Sequence, residues 1–293
     1  MKTFKFTKMQ GSGNDFVVID AAGSKKFTDL AKLAQEICHR KYGIGADGVL
    51  FMEKTNRADI RMRIFNADGS EAQMCGNGAR CAALWVSEKR RSQSEKLKIE
   101  TKAGIIEALV IEGDTRPNRK GRCAAFCGTV KIKLTDPQDM KLDLHVVVHG
   151  KDLEVDFINT GVPHAVIEVE DIEKIKVKDI GRAIRRHEAF RPAGTNVDFI
   201  KVANNGNVLV RTYERGVEDE TLACGTGSVA SAIIATLNTG GESIDRPGVS
   251  HKVFVETKSG ETLTVYFKAS KKKITDVWLE GKAQIVFTGS YAV

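Results

Sequence analysis

The sequence predicts an α/β chain of the mixed α+β type, folded as two pseudo-symmetric domains that arose by internal duplication. Each domain is expected to be a curved, mainly antiparallel sheet around one central helix, with the active site in the cleft between the domains. Three observations support this prediction. Five motifs recur in the same order, each half contains a glycine-centred hairpin pattern, and each half has a run of small apolar residues after a Cys-Gly-x-Gly motif.

The repeated motifs keep a nearly constant separation along the chain of 293 residues. Five matches in the same order are difficult to attribute to chance, and the second half is expected to begin near residue 135. The matched segments are Gly13–Ile19 with Gly161–Ile167, Gly45–Leu50 with Gly194–Phe199, Arg63–Phe65 with Arg211–Tyr213, Cys75–Gly78 with Cys224–Gly227, and Ile99–Gly104 with Val255–Gly260.

Local patterns within each half agree with this arrangement. Apolar residues recur at helical spacing over Asp29–Arg40, which predicts a helix with Thr28 as its N-cap. Strands follow strands too often for a doubly wound fold. Alternation and apolar runs predict strands over Phe16–Asp20 and Ala165–Val169, hairpins over Leu97–Ile111 and Lys252–Phe267, and buried helices over Ala79–Val86 and Ser228–Leu237.

Composition and charge exclude several classes of protein. The chain is 42% hydrophobic and 28% charged, which is typical of a globular protein. Its net charge of +7 comes from scattered basic residues, and the densest runs, Lys89–Arg91 and Lys271–Lys273, are expected at a helix end or a hairpin turn. The longest apolar stretch, near Val229–Leu237, is too short to cross a membrane, and no signal-peptide pattern is present. We therefore expect a cytoplasmic protein that binds neither nucleic acid nor membranes.

The six cysteines, at positions 38, 75, 81, 123, 127 and 224, do not form a disulfide framework or a zinc motif. No bound metal and no cofactor is expected. Cys38 and Cys81 fall within predicted helices and are expected to be structural.

Cys75 and Cys224 each come directly before a glycine-rich helix start, in Cys75-Gly-Asn-Gly and Cys224-Gly-Thr-Gly. The unpaired N–H groups and the positive end of the helix dipole stabilise an anion there, either a thiolate or a substrate carboxylate. One such motif is commonly a cap with an inert cysteine. Its duplication instead predicts two thiols on opposite faces of one carbon, an arrangement suited to inverting a stereocentre.

Several longer segments resemble the diaminopimelate epimerase family, in order and over essentially the whole chain. They are Gly11–Phe16, Ile64–Glu71, Met74–Arg80, Tyr213–Gly216 and Ala223–Gly227. The resemblance implies an isomerase that interconverts LL- and meso-2,6-diaminopimelate without pyridoxal phosphate, for lysine and peptidoglycan precursor synthesis. It also implies a homodimer, and a final strand near Leu279–Phe287 that returns to the first domain. The expected domains are therefore 1–135 with 279–293, and 136–278.

The resemblance also implies roles for individual residues. Cys75 would be the proton donor and Cys224 the acceptor, with the two roles exchanged in the reverse direction. His164 and Glu214 are candidate modulators of the thiol pKa. The expected substrate-binding residues, which together contact the reacting and the distal centre, are Asn14, Asn66, Gly76, Asn77, Asn196, Glu214, Arg215, Gly225 and Thr226.

Two positions depart from the family pattern. Gly48 and Val162 stand where some members carry Gln and Asn, so neither side chain can form a hydrogen bond to a ligand. Backbone groups or water would have to replace those contacts. The segment Thr115–Cys127 matches nothing in the family pattern and is expected to be a solvent loop.

Three other functions compete with this interpretation. A proline racemase or hydroxyproline epimerase shares the two-cysteine logic, but typically has His after the first Cys-Gly, where this chain has Asn77. A thiol-based redox protein would not need the polar residues around the predicted site. A nucleic-acid binder is favoured only by the pI of about 9.0, and its binding would fall steeply with salt.

Overall fold

The computed structural model describes residues 3–21, 29–92, 95–114, 126–239, 249–270 and 273–292. The chain divides into two compact units. Unit 1 consists of Met1–Ile132 together with Glu280–Val293, and unit 2 consists of Lys133–Leu279.

Unit 1 is built around a mainly antiparallel sheet with two helices. Its strands and helices are β1 (Thr3–Gly11), β2 (Asn14–Asp20), α1 (Leu30–Cys38), β3 (Gly48–Glu53), β4 (Ile60–Asn66), β5 (Glu71–Ala72), α2 (Gly76–Arg90), β6 (Glu95–Thr101), β7 (Gly104–Asp114) and β8 (Cys127–Lys133). The pairs β2–β3 and β4–β6 are parallel, and the pairs β1–β2, β3–β4, β4–β5, β6–β7 and β7–β8 are antiparallel.

Unit 2 repeats this order. Its elements are β9 (Gln138–Val148), β10 (Lys151–Asn159), β11 (Pro163–Glu168), α3 (Val177–Arg185), a 3-10 helix (Glu188–Phe190), β12 (Asn196–Val202), β13 (Val208–Glu214), β14 (Asp219–Thr221), α4 (Gly225–Asn238), β15 (Val249–Glu256) and β16 (Thr262–Ser270). The pairs β11–β12 and β13–β15 are parallel, and β9–β10, β10–β11, β12–β13, β13–β14 and β15–β16 are antiparallel.

The last strand, β17 (Lys273–Ala292), begins in unit 2 and ends in unit 1. Its C-terminal part pairs antiparallel with β1, from Gln284 opposite Gln10 to Ala292 opposite Thr3. It is longer at both ends than the segment Leu279–Phe287 that the family resemblance implies.

The internal duplication is visible in the strand registers. Phe16 pairs with Gly48 in the parallel ladder of unit 1, and His164 pairs with Asn196 in the matching ladder of unit 2. These pairs fix the equivalent positions in the two units and confirm the duplicated mixed α+β fold.

Each unit has one helix that is buried on nearly all sides. Every residue of α2 from Asn77 to Ser87 is buried, and so is every residue of α4 from Gly227 to Ala235. Small side chains make this possible because they let the surrounding strands approach the helix closely. Both helices begin at the first glycine of a Cys-Gly-x-Gly motif, as the sequence predicts, although earlier than the apolar runs alone indicate.

The helix α1 begins at Leu30 with Asp29 as its N-cap, whose side chain accepts a hydrogen bond from the Lys32 backbone N–H at 3.0 Å. The prediction that Thr28 is the N-cap is therefore wrong. Thr28 itself lies outside the described residues. A carboxylate one residue later serves the same function and adds a favourable charge at the helix N-terminus. The buried face of α1 packs on β3 and β4 in a core that includes Ile37 and Phe51.

Candidate active site residues

Cys75 is the N-cap of α2, and its Sγ accepts a hydrogen bond from the Gly78 backbone N–H at 3.4 Å. The side chain is half-buried. Gly78 packs so closely that a Cβ there would lie 3.2 Å from a methyl of Leu50 and 3.5 Å from a methyl of Ile64. The helix N-terminus therefore presents N–H groups to the thiol, while the strands beneath it are apolar.

The amide of Asn77 has a fixed orientation. Its Nδ2 donates to Asn14 Oδ1 at 2.6 Å, and its Oδ1 accepts from the guanidinium of Arg80 at 2.8 Å. Arg80 is fully buried and also donates to Ser12 Oγ at 2.5 Å. Asn14 extends this series of hydrogen bonds, because its Nδ2 donates to Asp47 Oδ2 at 3.1 Å. A buried cation therefore begins a hydrogen-bond chain that orients two predicted substrate-binding amides.

A charged cluster anchors the far end of this chain. Arg40 binds both Asp15 (2.9 Å) and Asp47 (2.6 Å), and Lys8 binds Asp15 at 2.7 Å. Burial disfavours the charged form of Asp15, but the bonds to Arg40 and Lys8 outweigh it and lower the pKa of that carboxyl well below its usual range. Asp15 therefore stays ionised at neutral pH.

Asn66, a predicted distal-site residue, lies exposed at the end of β4. Its Nδ2 donates to Ser70 Oγ at 3.0 Å, within the turn that leads to β5. Gly76, predicted to bind the carboxylate through its backbone, is the first residue of α2.

Cys224 is the N-cap of α4 and is buried, with 9% of its surface exposed. Its Sγ lies 3.4 Å from Thr226 Oγ1. Burial raises the pKa of the Cys224 thiol far above its usual value, and the nearby carboxylates of Glu214 and Asp198 raise it further. Cys224 is therefore a neutral thiol at neutral pH. Gly225 and Thr226 form the start of the helix beside it.

His164 is fully buried next to this helix start. Its Nδ1 lies 2.6 Å from Asp198 Oδ2, and its Nε2 lies 3.0 Å from Thr226 Oγ1 and 3.4 Å from Asn196 Nδ2. Asp198 is also fully buried and accepts a second hydrogen bond, from Thr212 Oγ1 at 2.6 Å. His164 is therefore linked by hydrogen bonds to a carboxylate on one side and to the neighbourhood of Cys224 on the other.

Glu214 and Arg215 follow each other at the end of β13. Burial raises the pKa of the Glu214 carboxyl above its ordinary value. The Arg215 backbone N–H donates to Asn196 Oδ1 at 2.7 Å, and its guanidinium donates to the Ala193 carbonyl at 3.1 Å. Unit 2 therefore brings five predicted residues together around one helix start: Cys224, Thr226, His164, Asn196 and Glu214, with Arg215 adjoining them.

The structure shows what surrounds Gly48 and Val162, the two positions that depart from the family pattern. A Cβ at Gly48 would lie 2.9 Å from the Phe65 carbonyl oxygen, so this backbone leaves no room for a side chain. The Val162 carbonyl accepts a hydrogen bond from the Thr160 backbone N–H, which closes a turn without a polar side chain.

Sequence reasoning missed Asp198, Arg80, Asp47 and Ser12 as parts of these networks. Asp198 carried a usable signal, since a single carboxylate within the apolar strand pattern of β12 requires a buried partner. The other three become visible only from their contacts.

Three further cysteines, Cys38, Cys81 and Cys127, lie within the described residues. Cys38 and Cys81 are buried, and burial raises the pKa of Cys38 to about 11. Cys127 is exposed at the start of β8. Cys123 and most of the predicted solvent loop lie outside the described residues, and so do Lys271 and Lys272. Lys89 and Arg90 occupy the last turn of α2, as predicted for a solvated helix end.

Within the described ranges, no group of three or more His, Cys, Asp or Glu side chains is arranged to hold a metal ion. Each helix in those same ranges is too short or too polar to cross a membrane.

The chain matches a family model described as diaminopimelate epimerase over residues 6–130 and 157–286. It is 42% identical to the diaminopimelate epimerase of Aquifex aeolicus (strain VF5), covering 97% of this chain and 96% of that protein. It is 39% identical to the enzyme of the same name from Caldanaerobacter subterraneus subsp. tengcongensis, covering 99% of this chain and 100% of that protein.

Two solved structures share the fold at low identity. One is a Bacillus anthracis phenazine biosynthesis protein of the PhzF family, at 19% identity, with a TM-score of 0.72 and complete coverage of both chains. The other is a hydroxyproline epimerase from Agrobacterium vitis, at 18% identity and a TM-score of 0.64, covering 99% of this chain and 93% of that one. These likenesses show the fold alone, whereas the family model and the two closely similar sequences show the family: the chain belongs to the diaminopimelate epimerases and is an isomerase.

Proposed function

We propose that this protein interconverts LL-2,6-diaminopimelate and meso-2,6-diaminopimelate by a two-base reaction in which Cys75 and Cys224 are the acid–base groups. The observation that carries the proposal is the duplicated cysteine. Each unit holds one thiol as the N-cap of its buried central helix, although the side chains around the two thiols differ. A structural cap would not need a thiol at both equivalent positions.

The reaction removes the proton from the α-carbon of one stereocentre and delivers another to its opposite face. An α-proton is a weak acid, so the developing negative charge on the substrate carboxylate needs fixed positive dipoles. The N–H groups at the starts of α2 and α4, including those of Gly76, Asn77, Gly225 and Thr226, can supply them. The oriented amide of Asn14 is proposed to help hold the reacting amino group.

In one direction Cys75 donates the proton and Cys224 accepts it, and these roles exchange in reverse. The raised pKa of Cys224 imposes a requirement on this scheme. Cys224 must lose its proton before it can act as the acceptor, so a nearby base must take that proton. His164 and Glu214 are the candidate groups.

The distal amino-acid centre of the substrate carries one ammonium and one carboxylate. Arg215 is suited to a two-pronged contact with the carboxylate, and Glu214 to an ion pair with the ammonium. Asn66 and Asn196 are proposed to complete this pocket. The Asn196 amide is already oriented by the Arg215 backbone N–H, which supports a preformed site.

A proline racemase or hydroxyproline epimerase activity is the alternative, favoured by the shared fold. Its substrates have no second amino-acid centre, so a Glu214–Arg215 pair would have nothing to bind. We further propose a cytoplasmic homodimer that supplies meso-diaminopimelate for lysine and peptidoglycan precursor synthesis.

The decisive experiment incubates the protein with LL-diaminopimelate in deuterated water and separates the stereoisomers. We expect meso-diaminopimelate carrying deuterium at the inverted α-carbon. L-Proline and trans-4-hydroxy-L-proline serve as parallel substrates, and Cys224→Ala as the inactive control. Epimerisation of the proline substrates without diaminopimelate turnover would favour the alternative, and no deuterium in any substrate would refute both.

A further inference from the structure

We propose that Asp198, His164 and the Thr226 hydroxyl form a proton relay that takes the Cys224 proton to His164 and returns it. In this relay Asp198 is a positioning residue that fixes the imidazole ring. The proposal deepens the proposed function, because it rests on Cys224 being one of the two acid–base thiols.

The acceptor on one side of His164 and the donor on the other define its resting tautomer. Asp198 Oδ2 lies 2.6 Å from Nδ1, and a carboxylate can only accept, so Nδ1 carries a proton. On the other side, Asn196 Nδ2 lies 3.4 Å from Nε2. The orientation of that amide is independent of His164, since Asn196 Oδ1 accepts from the Arg215 backbone N–H at 2.7 Å. Nε2 therefore faces a fixed donor and carries a lone pair.

This tautomer sets the direction of the next two hydrogen bonds. Thr226 Oγ1, 3.0 Å from His164 Nε2, donates its proton to the lone pair. Its oxygen can then accept from the Cys224 thiol at 3.4 Å. At rest the chain runs from thiol to hydroxyl to imidazole to carboxylate, and each link has one donor and one acceptor.

A concerted transfer of two protons converts this series of hydrogen bonds into the form in which Cys224 is a thiolate. The S–H bond of Cys224 breaks as its proton bonds to Thr226 Oγ1, and the original hydroxyl proton passes to His164 Nε2. The products are a thiolate, an intact threonine hydroxyl and an imidazolium ion. The net charge is unchanged, and the buried Asp198 carboxylate stabilises the imidazolium. Reversal regenerates the thiol.

The charged groups around Cys224 explain why the relay is needed. The titratable groups near Cys224 from the packed strands are Asp198 on β12, Glu214 on β13 and His164 on β11. Two of these are carboxylates, and their negative charge disfavours ionisation of the Cys224 thiol. A neighbouring cation, formed at the moment the thiol ionises, offsets that repulsion.

The placement of Asp198 shows a second constraint. Its Oδ1 accepts from Thr212 at 2.6 Å, and a Cβ at Gly227 would lie 2.5 Å from that same oxygen. Gly227, in the first turn of α4, therefore leaves the space that the carboxylate occupies. These contacts hold Asp198 against the ring from two sides.

The first test is ¹⁵N NMR of the full-length wild-type chain with labelled histidine at neutral pH. His164→Gln identifies the His164 signals. We expect a protonated Nδ1 and an unprotonated, hydrogen-bonded Nε2. Asp198→Asn should keep this tautomer, because the Asn196 amide still donates toward Nε2, but should shift the Nδ1 signal, because a carboxamide oxygen is a weaker acceptor than a carboxylate. A wild-type ring protonated on Nε2 would overturn the relay, and this measurement does not depend on any variant retaining activity.

The second test compares variants in diaminopimelate epimerisation. Thr226→Val removes the hydroxyl at nearly constant volume and should lower kcat about 100-fold with KM changed less than about threefold. Thr226→Ser should recover at least about tenfold of that loss. Asp198→Asn should behave like Thr226→Val. Asp156→Asn is the matched control, since Asp156 is another buried aspartate of unit 2. It accepts a hydrogen bond from Asn238 at 3.0 Å and takes no part in the proposed relay.

Equal kcat for Thr226→Val and the wild type would overturn the relay, and so would a loss confined to KM. Circular dichroism and thermal melting check that each variant folds. The two proposals fail separately. If the wild type does not epimerise diaminopimelate, the proposed function fails while the tautomer still tests the relay. If it does so with the opposite tautomer, only the relay fails.

Discussion

The surroundings of the two cysteines differ more than the scaffolds that carry them. The matched ladders make Phe16 equivalent to His164, and two residues further along β3 and β12 they make Leu50 equivalent to Asp198. Gly78 accordingly packs on Leu50 in unit 1, where Gly227 packs on Asp198 in unit 2. The strand side of the helix start is apolar beside Cys75 and acidic beside Cys224.

On the helices the difference is reversed, because here unit 1 carries the charged residue and unit 2 the apolar one. Arg80 of α2 is a fully buried cation, whereas the equivalent residue of α4 is the apolar Val229. Unit 1 therefore combines a buried cation with a half-buried thiol, and unit 2 combines buried carboxylates with a buried thiol. Both units keep a thiol as the N-cap of the buried helix, but the charged groups packed around the two thiols differ.

The largest expected effect is the loss of either thiol. Cys75→Ala and Cys224→Ala should each lower kcat by about 10⁴-fold, since each removes one of the two proposed acid–base groups. Stereochemical turnover measured by chiral chromatography checks this. Cys127→Ala is the exposed control and should leave the rate close to that of the wild type. Retained epimerisation in either active-site variant would mean that another base operates.

A smaller but still severe loss is expected at the distal pocket. Arg215→Ala and Glu214→Ala should each reduce kcat/KM by about 100-fold or more, because each leaves a charged substrate group unpaired in a desolvated site. Steady-state kinetics with LL-diaminopimelate measures this loss. Lys201→Ala, on the partly exposed end of β12, is a matched control for removing a cation from unit 2. Activity near the wild-type value in either pocket variant would show that the distal centre binds elsewhere.

Much of this molecule follows from its sequence, and the exceptions have identifiable causes. The hairpins and the two central helices were predictable because their signals are local periodicities. The pairing of His164 with Asp198 was not, because it depends on the parallel register of β11 and β12. The cap of α1 was misassigned because Thr28 and Asp29 are both good capping residues, and only backbone geometry distinguishes them.

Selective alkylation of the two thiols tests the contrast between the units directly. Iodoacetamide near neutral pH should modify Cys75 at least about tenfold faster than Cys224. Cys75 is more exposed and accepts a backbone N–H bond, while the raised pKa of Cys224 keeps it protonated. Mass spectrometry of the digested chain, sampled over time, gives both rates. Equal rates, or faster modification of Cys224, would contradict the assigned asymmetry.

The smallest effect concerns the stability cost of the acidic pocket. Because burial raises the pKa of Glu214 in the folded chain, the folded state binds this proton more tightly than the unfolded state does. The free energy of unfolding therefore falls as pH rises from the unfolded glutamate value, near 4.5, through the folded one. Glu214→Gln removes the charge and should raise Tm at pH 8, while leaving Tm nearly unchanged at pH 4. Differential scanning calorimetry at both pH values measures this, with Glu256→Gln on exposed β15 as the control. A gain at pH 4 equal to that at pH 8 would mean that packing, and not the buried charge, limits the stability of unit 2.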